Sequence, residues 1–307
     1  MSSPRIAVEP DCWRKQSLVD AVEAGGGTVT SPAEAEALVW AEPARADLLP
    51  PMLGSNPDID WVQLPYAGIE PFIEMLRAHP HLEWTCGKGV YAAPVAEHVL
   101  MLALAGLRGL ATYARATTWE KPEGRNLFDA RVTVLGGGGI TEELLPLLAP
   151  FRCEVTVIRN RIAPMDGAAH VLGPDGLHEV LPTTDLLVLA LALTPETTGI
   201  IGAAELEALP GHAWIVNLAR GRHIDTDALV DALGSGSIGG AALDVTEPEP
   251  LPDGHPLWKL PNCIITPHIG NTPEMGLALL ADRVRENVRR RGAGEELIGP
   301  VDVDLGY

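Results

Sequence analysis

From Arg131 to Leu148 the chain reads Arg131-Val-Thr-Val-Leu135, Gly136-Gly-Gly-Gly139, Ile140-Thr-Glu-Glu-Leu-Leu-Pro-Leu-Leu148. A β-type run, a glycine turn and an amphipathic helical stretch in that order leave few folds open. A strand that feeds directly into a helix belongs to a parallel sheet with helices against its faces. Other segments repeat the alternation: β-type runs at Ile6 to Val8, Ala37 to Trp40, Trp61 to Leu64 and Glu154 to Ile158, and helical stretches at Ser17 to Ala24 and Val95 to Leu107. Leu186 to Leu193 is almost continuously apolar, as expected of a strand covered on both faces. The pattern predicts an α/β protein with parallel sheets. Its 307 residues suffice for two domains of ordinary size. The segment Gly87 to Pro94, rich in Gly and Pro, is the expected crossing between them.

Composition narrows the partners. A formal net charge of −19 argues against nucleic acid and against an anionic membrane surface, both of which call for clustered Lys and Arg. The four cysteines, Cys12, Cys86, Cys153 and Cys263, show neither zinc nor disulfide spacing, so no metal is expected and a reducing cytoplasm is the simplest setting. The first residues lack the features of a signal peptide. The longest apolar run, Val99 to Leu107, is far shorter than the roughly 20 residues of a membrane span.

The glycine turn points to a dinucleotide. Gly136 would permit the tight turn and Gly138 would let the backbone approach a pyrophosphate. Gly139 and Ile140 would present N–H groups at the helix N-terminus, where the dipole favours anions. The third position of the fingerprint, normally a small residue, is Thr141. After the next strand, where an NAD site places an acid on the ribose, stand Arg159, Asn160 and Arg161. Guanidinium groups there can bind a 2′-phosphate, so NADP(H) is favoured and NAD(H) remains possible. Leu191 and Ala219, at the ends of later strands, are also assigned to the cofactor.

Three later strands end in reactive side chains. Ala213 to Ala219 leads to Arg220, Gly239 to Val245 leads to Glu249, and Cys263 to Thr266 leads to His268. Ligands of open α/β sheets bind beyond the carboxyl ends of the strands, so these three can converge. Arg220 can grip a carboxylate with a forked contact and polarise an adjacent carbonyl. His268 can move a proton near neutral pH, and Glu249 can orient its ring through the other nitrogen. The turn at Ala67 and Gly68 would expose N–H groups that suit a carboxylate.

At these residues the chain resembles the D-isomer-specific 2-hydroxyacid dehydrogenases. The resemblance is carried by Leu193-Thr-Pro-Glu-Thr-Thr-Gly199, Val216-Asn-Leu-Ala-Arg-Gly-Arg222, Ala242-Leu-Asp-Val-Thr-Glu-Pro-Glu-Pro-Leu251 and Thr266-Pro-His-Ile-Gly270, with Tyr66-Ala-Gly68 upstream. It implies two Rossmann-like domains with the active site in the interdomain cleft. The substrate-binding domain would comprise residues 1–93 with 276–307, and the dinucleotide domain 94–275. It further implies that Arg220 and the backbone of Ala67 and Gly68 bind the substrate carboxylate and that His268, paired with Glu249, is the acid/base. Asp244 would orient the nicotinamide carboxamide. A homodimer is implied, with an arm around Trp119 at the dimer contact.

Thr141, Arg159 and Ala192 depart from the family pattern, all on the cofactor side. The Arg159 position is similar to that of glyoxylate/hydroxypyruvate reductases, which implies a small 2-ketoacid or 2-hydroxyacid as the substrate. Two alternatives stay open: an NAD-dependent D-lactate or phosphoglycerate-type dehydrogenase, and a dinucleotide-sensing, corepressor-like binding protein.

Overall fold

A computed structural model of the chain describes residues 3–302. The chain through Tyr91, together with that from Thr272 onward, makes one compact unit, and Ala92–Asn271 makes another. The first unit contains β1 (Arg5–Glu9), α1 (Lys15–Ala24), β2 (Thr28–Val29), β3 (Ala37–Trp40), α2 (Leu49–Ser55), β4 (Trp61–Gln63), α3 (Ile73–Ala78) and β5 (Glu83–Thr85). Its strands lie in the order β2, β1, β3, β4, β5, and every pair is parallel.

The second unit opens with α4 (Ala92–Leu107) and α5 (Leu110–Tyr113). It continues with β6 (Arg131–Leu135), α6 (Gly139–Leu148), β7 (Glu154–Ile158), β8 (His170–Leu172), α7 (Leu177–Val180) and β9 (Leu186–Leu189). It closes with α8 (Ala203–Ala208), β10 (Trp214–Asn217), α9 (Thr226–Ser235), β11 (Gly240–Leu243) and β12 (Cys263–Ile265). Finally α10 (Pro273–Ala293) returns to the first unit, where Leu280, Val284 and Val288 pack with Leu18 and Val22 of α1. No helix among the described residues is long and apolar enough to cross a membrane.

The larger sheet runs β12, β11, β10, β9, β6, β7, β8, all parallel. Chain order therefore reverses between β6 and β9, the switch point at which doubly wound sheets bind ligands. Side chains alternate across this sheet. Leu187, Leu189, Ile215 and Leu243 enter one core, while Val132, Val134, Val188 and Val216 enter the core on the opposite face. Burial on both faces is why these strands have few polar residues, each fully buried Leu or Val adding about 1.5–3 kcal/mol.

Two details depart from the sequence-based expectation. The strand expected over Leu186 to Leu193 stops at Leu189, because its neighbours β6 and β10 stop at the paired residues Leu135 and Asn217 and offer no further ladder. Leu191 to Leu193 instead form a half-buried loop at the switch point. The strand β8 has no periodic signal, since its three residues stand between the small residues Ala168 and Ala169 and the pair Gly173 and Pro174.

Candidate active site

Because β10, β11 and β12 are parallel neighbours, their carboxyl ends lie along one sheet edge. Arg220, Asp244 and His268 follow these ends in turn, and Glu249 lies in the loop after β11. The Arg220 backbone is held on both sides. Its N–H donates to Nδ1 of His223 at 3.1 Å, and its carbonyl accepts from the Asn217 amide at 2.9 Å. The guanidinium donates to the Ala219 carbonyl at 2.7 Å, and the Ala219 N–H donates to the Asn217 side chain at 3.0 Å. His223 is fully buried, and with Nδ1 accepting, its Nε2 faces the Ala192 carbonyl at 3.2 Å as donor. That contact ties the Arg220 loop to the loop after β9. Gly221 explains itself by proximity: a Cβ there would lie 2.0 Å from the Thr246 carbonyl carbon, so only glycine lets the two loops meet.

His268 donates from Nδ1 to Oε1 of Glu249 at 2.7 Å, and both side chains are about half exposed. The pair predicted from separate strands is thus assembled. The His268 backbone is left-handed, with φ of +53°, a conformation that a non-glycine residue keeps only when its surroundings impose it. Asp244 imposes it. Its carbonyl accepts the His268 N–H at 2.8 Å, Oδ1 accepts the Thr266 hydroxyl at 2.5 Å and the Ile269 N–H at 2.9 Å, and Oδ2 accepts the Gly270 N–H at 2.8 Å. His98 of α4 stands 3.4 Å from Oδ1 and 3.2 Å from the Thr266 hydroxyl. Burial pushes the Asp244 carboxyl up, but the bonds from His98, Thr266, Ile269 and Gly270 outweigh it and hold the group at about 2. Asp244, expected beside the nicotinamide, is only 3% exposed and uses both oxygens to shape the loop that carries His268.

On the cofactor side, Gly136 has φ of +104°, and a Cβ there would stand 2.2 Å from the Ala190 carbonyl oxygen and 3.0 Å from Cα of Leu191. The tight turn therefore requires glycine and places the loops after β6 and β9 in contact. Gly138 caps α6, and the Glu142 N–H bonds its carbonyl, so Gly139 and Ile140 fall in the first turn, whose N–H groups have no intrahelical acceptors. A Cβ on Gly138 would meet nothing within 4 Å, so no protein group demands glycine there. Thr141, the departure from the fingerprint, is fully buried and donates its hydroxyl to the Gly136 carbonyl at 2.8 Å. It fastens the helix to the turn in place of the usual small residue. Arg159 follows β7 and lies along the turn: a Cβ on Gly137 would come within 2.6 Å of its Cδ. Asn160 and Arg161 beyond it are exposed. The residues fit a dinucleotide, with a helix terminus for the pyrophosphate and cations one strand away.

Ala67 and Gly68 belong to the first unit, half-buried after β4. The preceding Pro65 carbonyl accepts the Tyr91 hydroxyl at 2.6 Å, and the Tyr66 carbonyl accepts the Gly87 N–H at 2.9 Å. Among the described residues no group of three or more His, Cys, Asp or Glu could hold a metal ion. Sequence reasoning missed Asn217, His223, Thr266 and His98. The first three sit inside or beside the quoted motifs; His98 lies on a helix with no local mark of its role.

Residues 98–270 match the profile of the D-isomer specific 2-hydroxyacid dehydrogenase, NAD binding domain. The glyoxylate/hydroxypyruvate reductase A of Yersinia enterocolitica is 30% identical over 292 residues, covering 91% of this chain and 89% of that protein. The crystal structure of a D-isomer specific 2-hydroxyacid dehydrogenase from Xanthobacter autotrophicus, in complex with NADPH and MES, superposes with a TM-score of 0.86 at 28% identity over 100% of both chains. That of the NADPH-dependent glyoxylate/hydroxypyruvate reductase from Sinorhizobium meliloti, in complex with NADP and sulfate, superposes with a TM-score of 0.81 at 26% identity, again over 100% of both.

Proposed function

The chain belongs to the D-isomer specific 2-hydroxyacid dehydrogenase family, and from that membership we propose that it reduces small 2-ketoacids such as glyoxylate or hydroxypyruvate, preferring NADPH to NADH. The observation that carries the reading is the His268–Glu249 pair at 2.7 Å, on the sheet edge that also carries Arg220. With Nδ1–H given to Glu249, Nε2 of His268 is the atom that passes a proton to the substrate carbonyl oxygen. Glu249 fixes the ring and balances its charge when the ring is protonated. Arg220 binds the substrate carboxylate through its fork and polarises the adjacent carbonyl, helped by the backbone of Ala67 and Gly68.

The α6 N-terminus, with Gly136, Gly138, Gly139 and Ile140, would hold the pyrophosphate, and Arg159 with Asn160 and Arg161 the adenosine 2′-phosphate. Leu191 and Ala219 would border the cofactor. When bound, the dinucleotide supplies hydride to the carbonyl carbon. The cofactors held by the Xanthobacter and Sinorhizobium relatives support NADP, and the name of the Yersinia relative supports the substrate class.

The exposed apolar side chains of Met101, Leu110 and Trp119, on α4, on α5 and on the arm beyond, support a homodimer. Free cysteines throughout suit the cytoplasm. Initial rates for NADPH and NADH crossed with a panel of 2-ketoacids test the reading. NADPH turnover of glyoxylate or hydroxypyruvate is expected to dominate, and an NADH preference would overturn the cofactor assignment. His268→Ala is expected to lose most of the roughly 10²–10⁴-fold that acid/base help contributes; near-unchanged turnover in a folded variant removes His268 from that role.

A further inference from the structure

We propose that His98 is a positioning residue for His268, acting through Thr266 and Asp244. The inference rests on the acid/base role given to His268 above. Thr266 has a single hydroxyl proton, and its Oγ1 lies 2.5 Å from Asp244 Oδ1, the oxygen of an ionised carboxylate that can only accept. That proton is therefore committed to Asp244. The His98 Nε2, 3.2 Å from the same hydroxyl, must then be the donor. The order of protons is fixed: Nε2–H of His98 is shared between Thr266 Oγ1 at 3.2 Å and Asp244 Oδ1 at 3.4 Å, and Oγ1–H of Thr266 goes to Asp244.

Asp244 distributes this restraint over the whole loop. Thr266, His268, Ile269 and Gly270 each bond to it, and Pro267 between them has no N–H to offer. The loop that holds His268 at φ of +53° is thus over-determined from one buried residue, whose carbonyl takes the His268 N–H and whose carboxylate takes the other three donors. His98 brings a donor to that carboxylate's cluster from outside the loop, across 168 residues of sequence, and its side chain is only 11% exposed. A charged bond network in a dry setting is strengthened when each member is polarised by the next. His98 anchors the loop to α4, whose Val99, Leu102 and Ala103 are embedded in the core beneath the sheet. The ring does not reach the reacting atoms; it governs where the ring of His268 stands.

The test uses the full chain. A glutamine can place an amide N–H near the position of Nε2, whereas leucine fills the space without a donor. In His98→Leu, kcat with NADPH and glyoxylate is expected to fall about 10- to 100-fold, the usual cost of a displaced catalytic group, with the NADPH KM nearly unchanged. Amide exchange at Ile269 and Gly270 in the ligand-free protein should quicken, and His98→Gln should restore most of both losses. Thr266→Val should reproduce the leucine phenotype, and the double variant should lose clearly less than the sum of the two single losses, since both substitutions cut one network around Asp244.

The proposal is overturned if His98→Gln and His98→Leu are equally impaired, if exchange at Ile269 and Gly270 stays at the parent rate, or if the two losses add. If His98→Leu does not fold, the glutamine and valine variants carry the same comparison. Should His268→Ala retain turnover, the acid/base assignment fails first. Should it lose turnover while His98→Leu keeps it, only the role of His98 is refuted.

Discussion

Replacing Asp244 with Asn tests the loop that carries His268 at unchanged side-chain volume. One carboxylate oxygen becomes an NH2 group. Its best placement faces Gly270, where two N–H groups then confront each other across a 2.8 Å contact. A buried backbone N–H left without an acceptor costs about 1–3 kcal/mol.

Asp244 also contributes through its charge. Burial raises its carboxyl and the four donors lower it further, so it titrates at about 2 rather than the ordinary 3.8. That difference is about 2 kcal/mol of stability at neutral pH, at roughly 1.4 kcal/mol per tenfold change in proton affinity. The native value is the depressed one, so this contribution is complete well above pH 3.8 and is lost as pH falls through 3.8 towards 2. Asparagine has no such titration. Urea denaturation of both proteins at pH 7, 5 and 3 should show the parent ahead by about 2–3 kcal/mol at pH 7 and the gap narrowing by about 1 kcal/mol at pH 3. The variant's kcat should fall with its stability at pH 7, because the same bonds hold His268. A gap that does not change with pH, or a variant as stable as its parent at neutrality, refutes the argument.

Arg159→Ala should raise the NADPH KM by about tenfold and leave that for NADH nearly unchanged, as expected if one charge-assisted phosphate bond is lost; steady-state kinetics with both cofactors decides it. Thr141→Gly, which restores a small residue at the fingerprint's third position, should nonetheless destabilise the protein by about 1–3 kcal/mol, since a buried methyl and the bond to Gly136 are lost. A thermal melt that shows no loss would mean the hydroxyl does not secure the turn.

Much of the second unit is legible in the sequence because its signals are local. The glycine turn between Leu135 and Ile140 announces strand and helix, and Gly136 is required by a φ that other residues resist. The apolar runs at Leu186–Leu189 and Trp214–Asn217 reveal strands buried on both faces. Arg220, Glu249 and His268 stand out as polar residues where such runs end. The end of β9 was less legible, since Leu191 to Leu193 are as apolar as the strand before them; only the lengths of β6 and β10 cut it short.

By itself, then, the sequence determined a parallel α/β architecture and marked a glycine turn and three polar side chains at strand ends, because periodicity, glycine and strand ends act over a few residues. Tertiary structure alone decided that β10, β11 and β12 are neighbours, that Thr141 substitutes a hydrogen bond for the missing small residue, and that Arg159 lies on Gly137. It alone turned Asp244 inward to the His268 loop and brought His98 to it. The reason is physical. A buried polar group must find partners wherever the sheet order places them, and that order leaves no periodic trace in the chain.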